Sequence, residues 1–133
     1  MVTREDLESF LIRMDLEYEE VDKGMFLVQG RNSGLPLVVH HADQLLLIRM
    51  KVMDLPETFD EVPFYRALLE LNANDVVHGA YGIEEGELIL SDTLELATLD
   101  FHELQASMES IELAASGHME RIRALAGVVE AEA

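Results

Sequence analysis

The sequence holds no cysteine. That excludes disulfides, thiolate nucleophiles and cysteine-ligated zinc, and it fits a reducing compartment. Bases are scarce: nine lysines and arginines stand against 27 acids, for a net charge of −18. A field of that sign repels phosphate backbones and anionic lipid surfaces, so neither nucleic acid nor a membrane is expected as a partner. Long apolar runs are missing too. The longest, such as "QLLLI" at 44–48, are far shorter than the ~20 residues that cross a bilayer. The opening "MVTREDLESFLIRM" has no apolar stretch of the kind a secretory leader carries, which makes the cytoplasm the expected location.

What is present suffices for a core. Hydrophobic residues make up 49% of the 133-residue chain. A single domain over residues 1–133 is therefore expected without disulfide or metal support. The charge is uneven, since residues 54–100 carry twelve acids and only Arg66 as a base. Solubility accounts for such a surplus, and so does recognition of a basic partner.

Periodicity supplies the elements. "TREDLESFLIRMDL" reads as a helix with Thr3 and Asp6 as a capping-box pair and an apolar stripe of Leu7, Phe10, Leu11 and Met14. Asp22-Lys23-Gly24 marks a turn between two short extended runs, and "RNSG" at 31–34 marks another. "LPLVVHH" and "QLLLIRMKVM" read as strands joined near Ala42-Asp43. In the second of these, Leu46, Ile48, Met50 and Val52 share one face, while Leu45, Leu47, Arg49, Lys51 and Met53 share the other. The second face is half apolar, so it calls for a cover from a helix, a second subunit or a partner segment.

A helix is expected from about Asp60 to Leu71, buried through Phe64, Leu68 and Leu71, with Asn72 and Asn74 suited to its end. "VVHGAYGI" and "ELILSD" then pair across Glu84-Glu85-Gly86. From about Leu99 to Glu130 the pattern is helical, with Phe101, Leu104, Met108, Ile111, Ala115, His118, Ile122, Leu125 and Val129 at alternating three- and four-residue steps. Ser116-Gly117 interrupts it, so one long helix and two helices with a bend are equally compatible with the pattern. The last residues, "VVEAEA", are expected to fray. Strands and helices fall in blocks, α-ββββ-α-ββ-α, which indicates an α+β fold with a twisted antiparallel sheet flanked by helices.

Chemistry is hard to find in this order. Gly79-Ala80-Tyr81-Gly82 matches a G-x-x-G clamp, but phosphate contact wants bases and its neighbours are acids. The glycine series fits neither a P-loop nor a dinucleotide fingerprint, and strand and hairpin punctuation explains it better. His40, His41, His78, His102 and His118 show no chelating spacing. Glu84, Glu85 and Glu87 sit on a hairpin tip, and no serine lies in a nucleophile elbow. Of the seven methionines, Met14, Met50 and Met108 read as core, whereas Met25 and Met53 are candidates for exposure.

One long stretch identifies a family. "LLELN" at 68–72 ends a helix, "HGAYGI" at 78–83 opens a strand, an acid-glycine tip leads to "LILSDTLEL" at 88–96, and "LDFHELQASMESI" at 99–111 opens the last helix. In this order, and more loosely from Phe26 to Val52, the chain resembles the YbjN-type family, whose fold is that of type III secretion chaperones such as the Tir chaperone. The resemblance implies an α+β fold, a small acidic protein that is often a homodimer, and binding to other proteins rather than a reaction. Secretion chaperones hold an extended effector segment against apolar grooves and sheet edges. YbjN-type members are classed as regulators.

The first reading is therefore a non-enzymatic, cofactor-free, protein-binding module, chaperone-like or regulatory, acting as a homodimer on a protein partner of basic or other character. Association is expected through Leu45, Leu47, Arg49 and Met53 on the sheet, or through the helical seam that starts with Phe101, Leu104, Met108 and Ile111. The alternative is a small-molecule or metal-binding sensory regulator with histidines and acids as ligands. No catalytic or metal-binding residue is assigned, and an enzyme ranks last.

Overall fold

The computed structural model describes residues 1–128. Its elements follow the expected order: α1 (Arg4–Arg13), β1 (Tyr18–Asp22), β2 (Met25–Gln29), β3 (Pro36–Ala42), β4 (Leu45–Asp54), α2 (Glu61–Asn74), β5 (Ala80–Glu84), β6 (Glu87–Glu95) and α3 (Phe101–Leu125). The six strands form one antiparallel sheet in the order β1-β2-β3-β4-β6-β5. The β5–β6 hairpin folds back so that its second strand, β6, pairs with β4.

Strand alternation decides the layers. Phe26, Val28, Leu37, Val39, Leu46, Ile48, Met50, Leu88 and Leu90 are buried and point to one face. All three helices bury their apolar side chains in the same cluster: Leu7 and Leu11 from α1, Phe64, Leu68 and Leu71 from α2, and Leu104, Met108, Ile111 and Ala115 from α3. The helices thus cover one face of the sheet.

Helix ends follow local chemistry. Thr3 accepts from the Asp6 amide at 3.1 Å and Asp6 returns a bond from the Thr3 amide at 3.0 Å, the expected capping box. Helix α2 runs to Asn74, past the expected stop at Leu71. Its asparagines do not end it in a left-handed turn: Asn74 donates to the Glu70 carbonyl at 3.1 Å, and Asn72 faces strand β5. Helix α3 is continuous through Ser116-Gly117. Ala114, Ala115 and Ile122 are buried on either side of Gly117, and their packing outweighs the roughly 1 kcal/mol that a mid-helix glycine costs. Seam residue Val129 and the expectation for residues 129–133 lie outside the described residues.

The expected strand "VVHGAYGI" begins only at Ala80, with Val76–Gly79 forming a connection. Three glycines here have three different causes. Gly79 has φ +92°, and a Cβ on it would lie 2.6 Å from the Ser91 carbonyl oxygen. Gly86 follows Glu85 in the hairpin turn, with φ values of +77° and +50°, a pair of left-handed residues as in a type I′ turn. Gly82 has ordinary φ and room for a methyl group, which would meet Ile89 Cγ1 at an ordinary contact distance of 3.9 Å. Gly79→Ala is therefore expected to destabilise the fold by about 1–3 kcal/mol. Gly82→Ala is expected to be neutral or stabilising by up to ~1 kcal/mol. Urea midpoints of the two variants test this, and equal effects would remove the distinction.

Candidate functional site

No helix of the described residues sends its buried side chains to the outer face of the sheet, and that face carries the first candidates. Leu45 is 39% exposed, and Leu47 and Arg49 are half-buried. Register places Met25, His40, Leu47 and Thr93 in one cross-strand row, and Leu27, Val38, Arg49 and Ser91 in the next. The result is an apolar band whose charges are already committed. Arg49 pairs with Glu84. Lys51 lies 2.9 Å from Asp54 and 3.0 Å from Glu87. Hydrogen bonds to Asp54 first and Glu87 second raise the Lys51 pKa.

Met53 does not belong to this band. The β4–β6 register shifts between Lys51 and Met53, so Met53 pairs with buried Leu88 and packs against the core. A bulge adds one residue and reverses the alternation beyond it. The helical seam also lies elsewhere than expected. Leu104, Met108 and Ile111 are 0–4% exposed in this chain's own core, so their periodicity records packing against the sheet rather than an available surface. Phe101 is half-buried against α1: its ring meets Phe10 edge-on at 5.8 Å, and the Arg13 guanidinium lies 3.8 Å from its centroid. Met25 is half-buried.

The two sheet edges differ in kind. At β5, Asn72 accepts from the Tyr81 amide at 2.7 Å and donates to the Tyr81 carbonyl at 3.2 Å. A side-chain amide thus occupies main-chain groups that an added strand would need. At β1 no such plug exists among the described residues. Its edge carries Glu19, Glu20 and Asp22, with Glu17 just before it. Arg4 donates to Glu20 through its guanidinium. That bond, followed by one from the Gly24 amide, lowers the Glu20 pKa to about 2.

Sequence reasoning missed a further surface. Val62 and Leu69 on α2 are 76% and 68% exposed, on the side away from Phe64, Leu68 and Leu71. Their seven-residue separation, with Arg66 between them, was the available signal.

Two of the histidines serve the scaffold. His41 Nε2 lies 2.9 Å from the Val2 carbonyl. His118 Nδ1 lies 2.8 Å from the Tyr81 hydroxyl, and its Nε2 is 3.4 Å from Asp75. Burial first, and then the Asp75 charge, push the Tyr81 phenol far above its usual range. It therefore stays a neutral donor, and Asp75, His118 and Tyr81 tie α2, α3 and β5 together. Among the described residues no group of three or more histidines and acids could hold a metal ion, and no helix is long and apolar enough to cross a membrane.

Helix α3 also anchors a loop. Glu112, 7% exposed, accepts from the Asn32 amide at 3.1 Å and from the Ser33 hydroxyl. "RNSG" is a turn, as expected, but it is held from a residue 80 positions away. Beside it, a cavity of about 360 Å³ lies between the α1–β1 connection, the end of β2 and α3.

Comparison with known proteins places this architecture. The CesT_Tir_1 family model matches residues 2–127. No curated protein sequence matches. Among solved structures, the chain is similar to one in the heterodimeric ExoU–SpcU complex from the type III secretion system of Pseudomonas aeruginosa. The TM-score is 0.67 at 15% identity, over 90% of this chain and 96% of that one. It is similar to YbjN of E. coli, a candidate transcription regulator, with a TM-score of 0.67 at 13% identity over 90% and 92% of the two chains. It is also similar to a chain of the HopA1–SchA chaperone–effector complex, with a TM-score of 0.63 at 15% identity over 86% and 90%. At these identities the likeness is one of fold, the type III secretion chaperone-like α+β fold expected from the sequence.

The Glu20 carboxylate gives a sign to the acid limb of stability. Its folded pKa lies below the unfolded one, so its contribution is present above about pH 4.5 and is lost as pH falls toward 2. Glu20→Gln is expected to lower stability at neutral pH and to converge with the parent near pH 2. Urea unfolding at several pH values checks this, and a gap that persists at pH 2 contradicts it.

Proposed function

Because the chain belongs to the CesT_Tir_1 family, we propose that it is a non-enzymatic protein-binding module. It acts as a homodimeric, chaperone-like or regulatory scaffold for an extended segment of another protein. One observation carries this reading. The outer sheet face presents an apolar band, including Leu45 and Leu47, that no helix of the described residues covers. Leaving such a band in water forgoes the burial that stabilises apolar surface by roughly 25 cal/mol per Å². A second copy or a partner segment supplies the cover.

The β1 edge supports the second half of the proposal. It is unplugged and acidic, which disfavours pairing with its own copy and favours an extended basic segment. The excess of 27 acids over nine bases acts in the same direction at longer range. The fold is also shared with a chain of a chaperone–effector complex.

Light scattering at micromolar concentration is expected to show a dimer, and a clean monomer would exclude it. Leu47→Glu is expected to weaken association by about tenfold or more. Its effect on the urea midpoint should stay within about 1 kcal/mol, because the side chain is only half-buried. If the variant unfolds with no separable loss of association, Leu47 serves the fold alone. Val62→Glu on α2 is the companion measurement, and loss of the dimer there instead would move the interface to that helix.

A further inference from the structure

Two depressions flank a single ridge of α3. The first is the 360 Å³ cavity, walled by Met14, Leu16, Val28 and Met108. The second, about 640 Å³ and more open, lies between α3 and the α2–β5 connection, with Val77, Ala106 and Ala114 on its walls. Glu109 and Leu113 line both. They are four residues apart, one above the other on the outward side of the helix. Leu113 is 61% exposed, and Val77 is 81% exposed beside the second depression. A single exposed leucine needs no explanation. One standing between two part-apolar depressions, with an exposed valine beyond, forms a continuous surface.

The charges around this surface are mostly engaged. Arg31 donates to the carbonyls of Met14 and Asp15. Glu112 holds the β2–β3 loop, and Asp75 faces His118. His78 is tied through its main chain to Ser110. Glu109 makes no hydrogen bond or ion pair among the described residues, so the charge left over on the ridge is negative.

We propose that this ridge docks a basic, amphipathic segment of a partner protein. The segment straddles α3, with one apolar side chain in each depression and a lysine or arginine between them against Glu109. A helix with its side chains is about 10–12 Å across. An extended chain covers about 13 Å in four residues, and its residues i, i+2 and i+4 share one face, so the two apolar anchors stand four residues apart with the base midway between them. Charge selects the occupant: the unpartnered Glu109 carboxylate on the ridge favours a basic segment and repels an acidic one. The inference rests on the reading of the molecule as a protein binder. It adds a site and a partner chemistry separate from the outer sheet face.

The test uses the full chain and a dye-labelled synthetic peptide with two leucines four residues apart among lysines, followed by fluorescence anisotropy. The peptide is expected to bind. Leu113→Asp and Glu109→Lys are each expected to weaken it by about tenfold or more. Glu120→Lys, an equal charge change at an exposed site on the same helix, should leave binding unchanged. A peptide with glutamates in place of the lysines should not bind. Both ridge positions are exposed, and circular dichroism checks that the variants remain folded. Binding unaffected by the ridge variants overturns the proposal, as does equal weakening by Glu120→Lys. Binding lost only with Leu47→Glu overturns the ridge while supporting the outer face as the partner site. If the peptide does not bind at all, the ridge proposal fails, and the scaffold reading still stands on its own association test.

Discussion

Helix α3 lies along the inner side of the sheet, and the layered arrangement depends on that contact. Its Leu104, Met108, Ile111, Ala115 and Ile122 are buried in the cluster that also takes the inward residues of β2, β3, β4 and β6. An antiparallel sheet with one apolar face is stable only when that face is covered. The alternation along the strands therefore acquires its meaning from a helix at the far end of the chain. Once the inward residues are spent on α3, the outward ones remain as surface, and the half-apolar character of that surface becomes available for association.

Polar contacts from the same helix set how the rest is positioned. Glu112 fixes the loop between β2 and β3, Ser107 donates to Asp92 on β6 at 2.7 Å, and His118 meets Tyr81 on β5. Each joins residues far apart in sequence, and each satisfies a buried or half-buried group that would otherwise cost about 1–3 kcal/mol. No buried side-chain nitrogen or oxygen is left unpaired among the described residues. The apolar contact gives α3 its place, and these bonds give it one register.

The sequence made the local part of this legible. Period-two and period-3.6 patterns located all nine elements, and Thr3, Asp6, Gly24 and Gly86 marked their boundaries through capping and turn chemistry that acts within a few residues. What it concealed depends on distance. The seam of Leu104, Met108 and Ile111 has the same spacing whether it meets a second helix or its own sheet, so periodicity could not tell core from interface. Met53 was assigned to the outer face by counting in twos, and a one-residue bulge undid the count. Asn72 fitted a helix end by propensity, yet its amide is spoken for by Tyr81, nine residues on in a strand. The exposed Val62 and Leu69 were overlooked because the more apolar face of α2 drew the reading.

The Asn72 contact with Tyr81 has a bearing on assembly. Its amide offers one donor and one acceptor, as a peptide unit does, and so it stands in for one residue of a seventh strand. Edge-to-edge growth of sheets into a fibre needs a receptive edge at both ends of every unit. Here one end is closed by a neutral side chain, at no cost in charge. A second copy paired at β1 would therefore present its own plugged β5 edge at the far end, and the sheet could not grow on from there.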